Sequence, residues 1–168
     1  LRLPNEARTE VDEGPGSRLK EEPVVRQARH EDLKDILELY AQLDLTGKEV
    51  LAPAEAESIW GKMERYPDYK LYVADRGGQI VGVFALAIMD NLAHAGRPSG
   101  LLEDVVVSEE HRGKGIGRLI MNYAVGYCQR QGCYKVALSS NLAREGAHVF
   151  YERLGFKKHG YSFSLELG

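Results

Sequence analysis

VVVSEEHRGKGIGRLIMNYA, Val105 to Ala124, leaves an apolar strand through a basic turn punctuated by glycines and enters a helix. Beyond the turn, Ile116, Leu119, Ile120, Tyr123, Ala124, Tyr127 and Cys128 recur at spacings of three and four, the period of a helix with one apolar face. In Arg112-Gly113-Lys114-Gly115-Ile116-Gly117, glycines let backbone N–H groups converge without a Cβ in the way. The helix that begins there adds the positive end of its dipole, so the turn suits a diphosphate. His111, Arg112, Lys114 and Arg118 supply charge around it. A glycine-rich strand-to-helix turn can equally be tight packing, and the turn alone does not decide between the two. Two nucleotide folds are excluded by spacing. A P-loop needs Lys-Ser or Lys-Thr after its glycines, and a dinucleotide fold needs G-x-G-x-x-G with an acidic residue ending the next strand. Here the spacing is G-x-G-x-G, and the next strand runs into Ser139-Ser140-Asn141.

Working outward, Gly132 ends the helix and Tyr134 to Ser139 reads as a strand. A helical crossover between two strands makes them parallel and right-handed. Upstream, Leu71–Ala74 and Ile80–Leu86 flank Arg76-Gly77-Gly78-Gln79, a hairpin signal, so that pair is antiparallel. Val24 to Ala28 reads as a short strand, His30-Glu31-Asp32 opens a helix carrying Leu33, Ile36, Leu37 and Tyr40, and Pro53 starts a second helix to about Met63 after a polar link at Thr46 and Gly47. Those two helices are placed to roof a cleft. Arg144 to Leu154 is helical, and YSFSLEL, Tyr161 to Leu167, alternates like a closing strand. The fold class is therefore α/β with a mixed sheet around a central βαβ unit.

At 168 residues the chain fits one domain. Residues 1–23 are polar and aperiodic and read as a tail or arm, leaving 24–168 as the domain. A net charge of -3 offers no broad positive field, so neither nucleic acid nor an anionic membrane is expected as partner. No run approaches the roughly 20 apolar residues of a membrane span, nor is a secretory signal pattern visible, so the expected compartment is the cytoplasm. Cys128 and Cys133, the two cysteines, have no metal-site spacing, so no metal and no disulfide are assigned.

LLEDVVVSEEHRGKGIGRLI together with NLAREGAHVFYERLGF resembles the GNAT superfamily of acetyl-CoA-dependent N-acetyltransferases, whose phosphate loop follows R/Q-x-x-G-x-G/A and whose late helix carries F-Y-x-x-x-G-F. The resemblance spans roughly Val24 to Leu167 and implies an acyl-CoA N-acyltransferase fold with acetyl-CoA as cosubstrate. It implies that the amides of Arg112, Gly113, Lys114, Gly115, Ile116 and Gly117 hold the diphosphate. The backbone from Val105 through Val106 to Val107 would pair with the pantetheine arm as an added strand. Asn141 matches a position that hydrogen-bonds the cofactor, or is a turn and N-cap residue, and the two roles are compatible. Tyr151 matches a tyrosine that protonates the departing thiolate, a transfer allowed by a phenol pKa of about 10 against about 8.5 for the thiol. Its alternative is packing beside Phe150 and Leu154.

An acceptor amine of pKa near 10 is mostly ammonium at neutral pH, and presenting the free base costs roughly 4 kcal/mol. Glu103 or Asp104, just before the cofactor strand, can take that proton; strand alternation sends them to opposite faces, and Glu103 is favoured. Neither cysteine falls near the thioester, so direct transfer without an acetyl-enzyme is expected. EDVVV resembles the glucosamine-phosphate acetyltransferases and the C-terminal stretch from Leu138 resembles the aminoalkylphosphonate acetyltransferases. The acceptor is thus expected to be a small-molecule primary amine bearing an anion, which His94, Arg97, Lys158 or His159 could bind. His148 is expected on a helix surface. Acetylation of a protein or peptide, or a non-catalytic acyl-CoA sensor, remain alternatives, and a homodimer is a further implication of the family.

Overall fold

A computed structural model describes residues 21–43 and 51–165 of the chain. Residues 1–20 of the expected 1–23 tail, the link at Thr46 and Gly47, and the last residues of the expected closing strand lie outside the described residues. The order is β1 (Val24–Gln27), a 3-10 turn (His30–Asp32), α1 (Leu33–Tyr40), α2 (Pro53–Met63), β2 (Tyr69–Arg76), β3 (Gln79–Met89), β4 (Ser99–Val107), α3 (Ile116–Arg130), β5 (Lys135–Leu138) and α4 (Glu145–Arg153). The strands form one sheet in chain order, antiparallel from β1 to β4 and parallel between β4 and β5. A mixed sheet with a central βαβ unit is what the order of signals predicts.

Two apolar layers cover the sheet. On one face Tyr72, Phe84, Leu86 and Leu102 pack beneath Ile116, Ile120, Met121, Ala124 and Cys128 of α3, with Phe150 and Tyr151 of α4 at the margin. On the other, Ala28, Val73, Val83 and Val106 meet Ile36 and Leu39 of α1, with Tyr40 and Trp60 against them. Close approach of α3 needs glycine in the sheet: a Cβ on Gly82 would lie 3.0 Å from Ile120 Cδ1, and one on Gly100 would overlap Cys128 Sγ.

At the β1 edge the guanidinium of Arg26 donates to Asp32 at 2.7 and 2.8 Å and to Asp75 at 2.9 Å, clamping β1, the 3-10 turn and β2. The hydrogen bond from Arg26 holds the buried Asp32 carboxyl below the usual carboxylate range. The opposite edge differs from expectation. Residues 161–165 form no strand, and Tyr161, Phe163 and Leu165 are exposed, at 90, 91 and 84%. Alternation is a property of the segment alone, whereas a strand needs a neighbour for its backbone, and residues 161–165 pair with no strand among the described residues.

Candidate functional site

β4 and β5 run paired from Ser99 and Lys135 as far as Leu102 and Leu138, and there β5 ends. β4 continues through Glu103 to Val107 with β3 on one side only, so the backbone facing β5 is left open over that half. Ligands of open α/β sheets bind where parallel strands part at their carboxyl ends.

Opposite Phe84 of β3, β4 carries one residue too many: Val83 pairs with Val106 but Ala85 with Glu103. The bulge is taken up at Asp104, whose φ is +51. Glu103 stands in line with Ala85 and Leu71 on the α1/α2 face, and Val106 returns to that face after two residues rather than one. Strict alternation, which sends Glu103 and Asp104 to opposite faces, therefore fails. Both charges reach the Tyr69 phenol at the start of β2, which burial first and then Asp104 and Glu103 push upward. Tyr40, at the end of α1, is likewise raised by burial and by Asp104. Val105 and Val107 point to the other face, into the α3 layer.

From Val107 the chain makes a 3-10 turn over Glu109–His111 and enters the glycine stretch. Gly113 and Gly115 take φ of +74 and +87, conformations that L residues avoid, and a Cβ on either would meet nothing within 4 Å. The Arg112 amide donates to the Glu109 carbonyl at 3.3 Å and that of Lys114 to His111 at 3.4 Å. The amides of Gly113, Gly115, Ile116, Gly117 and Arg118 have no protein acceptor among the described residues, and the first turn of α3 has no side-chain cap. Gly117 serves the other use of glycine: its Cβ would lie 3.1 Å from Phe150 Cζ, so it seats α4 against α3. Of the four basic residues, His111 is buried beneath the loop with Nδ1 3.4 Å from Ser108 Oγ. Arg112, Lys114 and Arg118 are exposed, and Arg112 lies 3.5 Å from Glu109.

Tyr151 packs on the cluster that holds Val105, Val107 and Leu138, the residues bordering the parting of the strands. Burial pushes its phenol above the ordinary value, so it keeps its proton throughout the neutral range. The carboxylates lie on one face of the sheet and Tyr151 on the other. Asn141 Oδ1 accepts from the Ala143 amide at 2.9 Å, which makes it a turn residue, and its carbonyl accepts from Arg144 N and faces His148 Nε2 at 3.0 Å. His148 thus braces the loop after β5.

Two of the residues expected to bind an anion stand away from the parting. Arg97 donates to the carbonyls of Gly132 and Cys133, and His94 stacks on Tyr134 at 4.0 Å. Both secure the end of the sheet where β4 and β5 start together, away from the parting. Lys158 pairs with Glu152 at 3.1 Å and His159 is exposed. Cys128 is buried in α3 with its thiol pushed up to about 12, by burial first and then by Cys133, so it offers no nucleophile. Tyr69 and Trp60 carry no sequence signal of their own; the bulge that brings the carboxylates to their side becomes visible only when β4 is set against β3. Among the described residues there is no group of three metal-ligating side chains, and no helix is long and apolar enough to cross a membrane.

Residues 30–156 match the acetyltransferase (GNAT) family. The chain belongs to this family. It is an acyltransferase with acetyl-CoA as its cosubstrate. Among GNAT relatives, the glucosamine 6-phosphate N-acetyltransferase of Trypanosoma brucei brucei is 33% identical over 147 residues, 85% of this chain and 95% of that one. The aminoalkylphosphonate N-acetyltransferase of Salmonella typhimurium is 32% identical over 101 residues, covering 60% of this chain and 65% of its own length. The crystal structure of a Trypanosoma brucei acetyltransferase superposes with a TM-score of 0.74 at 33% identity, over 87% of this chain and all of that one.

Proposed function

We propose that this GNAT protein moves the acetyl group of acetyl-CoA directly to the primary amine of a small molecule bearing an anionic group, an amino sugar phosphate or an aminoalkylphosphonate. The observation that carries the reading is the unpaired half of β4, Glu103 to Val107, leading into five amides without acceptors. A coenzyme diphosphate fits there: Gly113 and Gly115 leave the space over the turn empty, the start of α3 is positive, and Arg112, Lys114 and Arg118 ring it. The open edge at Val105, Val106 and Val107 suits a pantetheine amide chain. Asn141 keeps its side-chain NH2 free to donate, since only Oδ1 is engaged. Acetyl-CoA supplies an activated acyl carbon and a thiolate leaving group. Release of free thiol, followed across amino sugars, aminophosphonates, polyamines, amino acids and peptides, tests the reading; turnover confined to peptides would refute it.

The chain's own part is proton management. An ammonium ion has no lone pair, so Asp104 or Glu103 accepts its proton on the α1/α2 face. Tyr151, protonated and on the opposite face, gives a proton to the departing sulfur. Placing acceptor and donor on different sides of the sheet keeps them from exchanging the proton with each other.

We further assign residues 24–168 to one catalytic domain with 1–23 as an appended arm, and place the enzyme in the cytoplasm, where the neighbouring thiols of Cys128 and Cys133 stay reduced. A homodimer accords with the alternating, exposed Tyr161, Phe163 and Leu165, on a segment whose Ser162 hydroxyl lies 3.5 Å from that of Ser139 just past the edge strand β5. Sedimentation equilibrium gives the answer: twice the chain mass is expected.

A further inference from the structure

We infer that Tyr40 and Trp60 determine acceptor specificity: the Tyr40 hydroxyl and the Trp60 indole N–H donate hydrogen bonds to oxygen atoms on the body of the amine. The inference rests on the acetyltransferase reading above and narrows its substrate to oxygenated amines. Three buried side-chain polar atoms lack a partner among the described residues: Tyr40 Oη, Trp60 Nε1 and Asn91 Oδ1. Asn91 belongs to the remote loop, where its Nδ2 donates to the Arg97 carbonyl. The other two are donors from α1 and α2, packed on one apolar cluster and aligned along one face of the sheet. Leaving such a donor dry costs about 1–3 kcal/mol, which a partner arriving with the substrate would recover.

Their surroundings indicate what that partner is. Tyr69 links them: it is near enough to Tyr40 and to Asp104 for each charge to be felt, and it lines a cavity of about 360 Å³ shared with Trp60, Met63, Ala28 and Leu71. α1, which carries Tyr40, packs on β3 and β4, and Tyr40 and Trp60 lie against the one cluster that also holds Val106 of β4. Around the cavity Arg29 and Lys70 are balanced by Glu31 and Glu64, and His30 is paired with Glu57 at 2.6 Å, so the walls favour no net charge. Aromatic faces with two unsatisfied donors suit a hydroxylated body, and a hydrocarbon amine would leave both donors dry.

The test compares glucosamine 6-phosphate with cyclohexylamine, a ring amine without oxygen, for wild type, Tyr40→Phe and Trp60→Phe. Amine basicity differs between the two substrates but cancels when each variant is referred to wild type. Tyr40→Phe is expected to lower kcat/KM for glucosamine 6-phosphate about 3- to 10-fold, mostly through KM, and to leave cyclohexylamine and the KM for acetyl-CoA within about twofold. Its ligand-free Tm is expected to stay level or rise, because an unsatisfied buried hydroxyl has been removed. Trp60→Phe should narrow the same preference. Equal losses on both amines, or a fall in Tm with Tyr40→Phe, would overturn the inference alone. Absence of thiol release from wild type with every amine would overturn the acetyltransferase reading and this inference with it.

Discussion

The two edges of the sheet are built on opposite principles. At the β1 edge the charged groups answer one another: Arg26 donates to Asp32 and Asp75, and the Arg29 amide adds a further bond to Asp32 at 2.7 Å. At the β4–β5 edge the polar groups are left open, with five amides, half a strand edge and a buried hydroxyl unanswered. The difference separates stability from binding. A substitution at the closed edge is expected to act on folding with turnover unchanged, and one at the open edge on binding or turnover beyond any change in stability, so a closed-edge loss of turnover or an open-edge effect confined to stability breaks the comparison.

The largest effect is expected at the closed edge. Asp32→Asn leaves the Arg26 guanidinium short of one counter-charge and should cost about 3 kcal/mol of unfolding free energy by urea denaturation, with kcat unchanged. Wild type carries the pH signature of the same pair. Asp32 is held below its unfolded value, so its contribution is complete above about pH 4 and is lost as pH falls through the lower folded value. Asp32→Asn should therefore flatten the acid limb of the Tm-versus-pH curve. A steep acid limb that survives the substitution would assign the acid sensitivity to other carboxylates.

Next in size, and on the other axis, Tyr151→Phe should lower kcat on the order of 100-fold, with the KM for acetyl-CoA unchanged. Because burial raises the Tyr151 phenol, its loss as an acid should appear only above pH 10. Stability measured on the same sample guards the comparison: a fall in Tm that matches the fall in rate would make Tyr151 a packing residue beside Phe150 and Phe156.

Which parts of this contrast could be read from the residues follows from how local their causes are. The hairpin at Gly77-Gly78, the helix from Ile116 and the glycine turn are written in neighbouring residues, because positive φ and helical period are short-range demands. The bulge at Asp104 is not written there. It exists because Ala85 pairs with Glu103 while Val83 pairs with Val106, a count that requires both strands, and it moves the second carboxylate onto the side expected of one. Arg97 is ambiguous in the sequence for the same reason: a basic loop residue looks alike at either end of a sheet, and only the parallel pairing of β4 with β5 reveals which end is the cleft. The 161–165 segment shows the converse, with a strand's pattern and no strand partner among the described residues.

Smaller effects sharpen the account of the open edge itself, because its amides and its surface cations should contribute unequally. Gly115→Val places a branched side chain at φ +87, costing about 1–2 kcal/mol of stability, and crowds the space above the turn. Acetyl-CoA affinity by calorimetry should fall about 10-fold or more.

Arg112→Gln leaves the backbone cradle intact and removes one exposed charge that is shared with Glu109. Affinity should fall only about 2- to 5-fold at low salt, and the difference from wild type should shrink as salt rises past the point where the Debye length is about 8 Å. The ranking is the discriminating result. If Arg112→Gln weakens binding more than Gly115→Val does, the diphosphate is held by side-chain charge, and the unanswered amides that set this edge apart from the β1 edge are not what the coenzyme recognises.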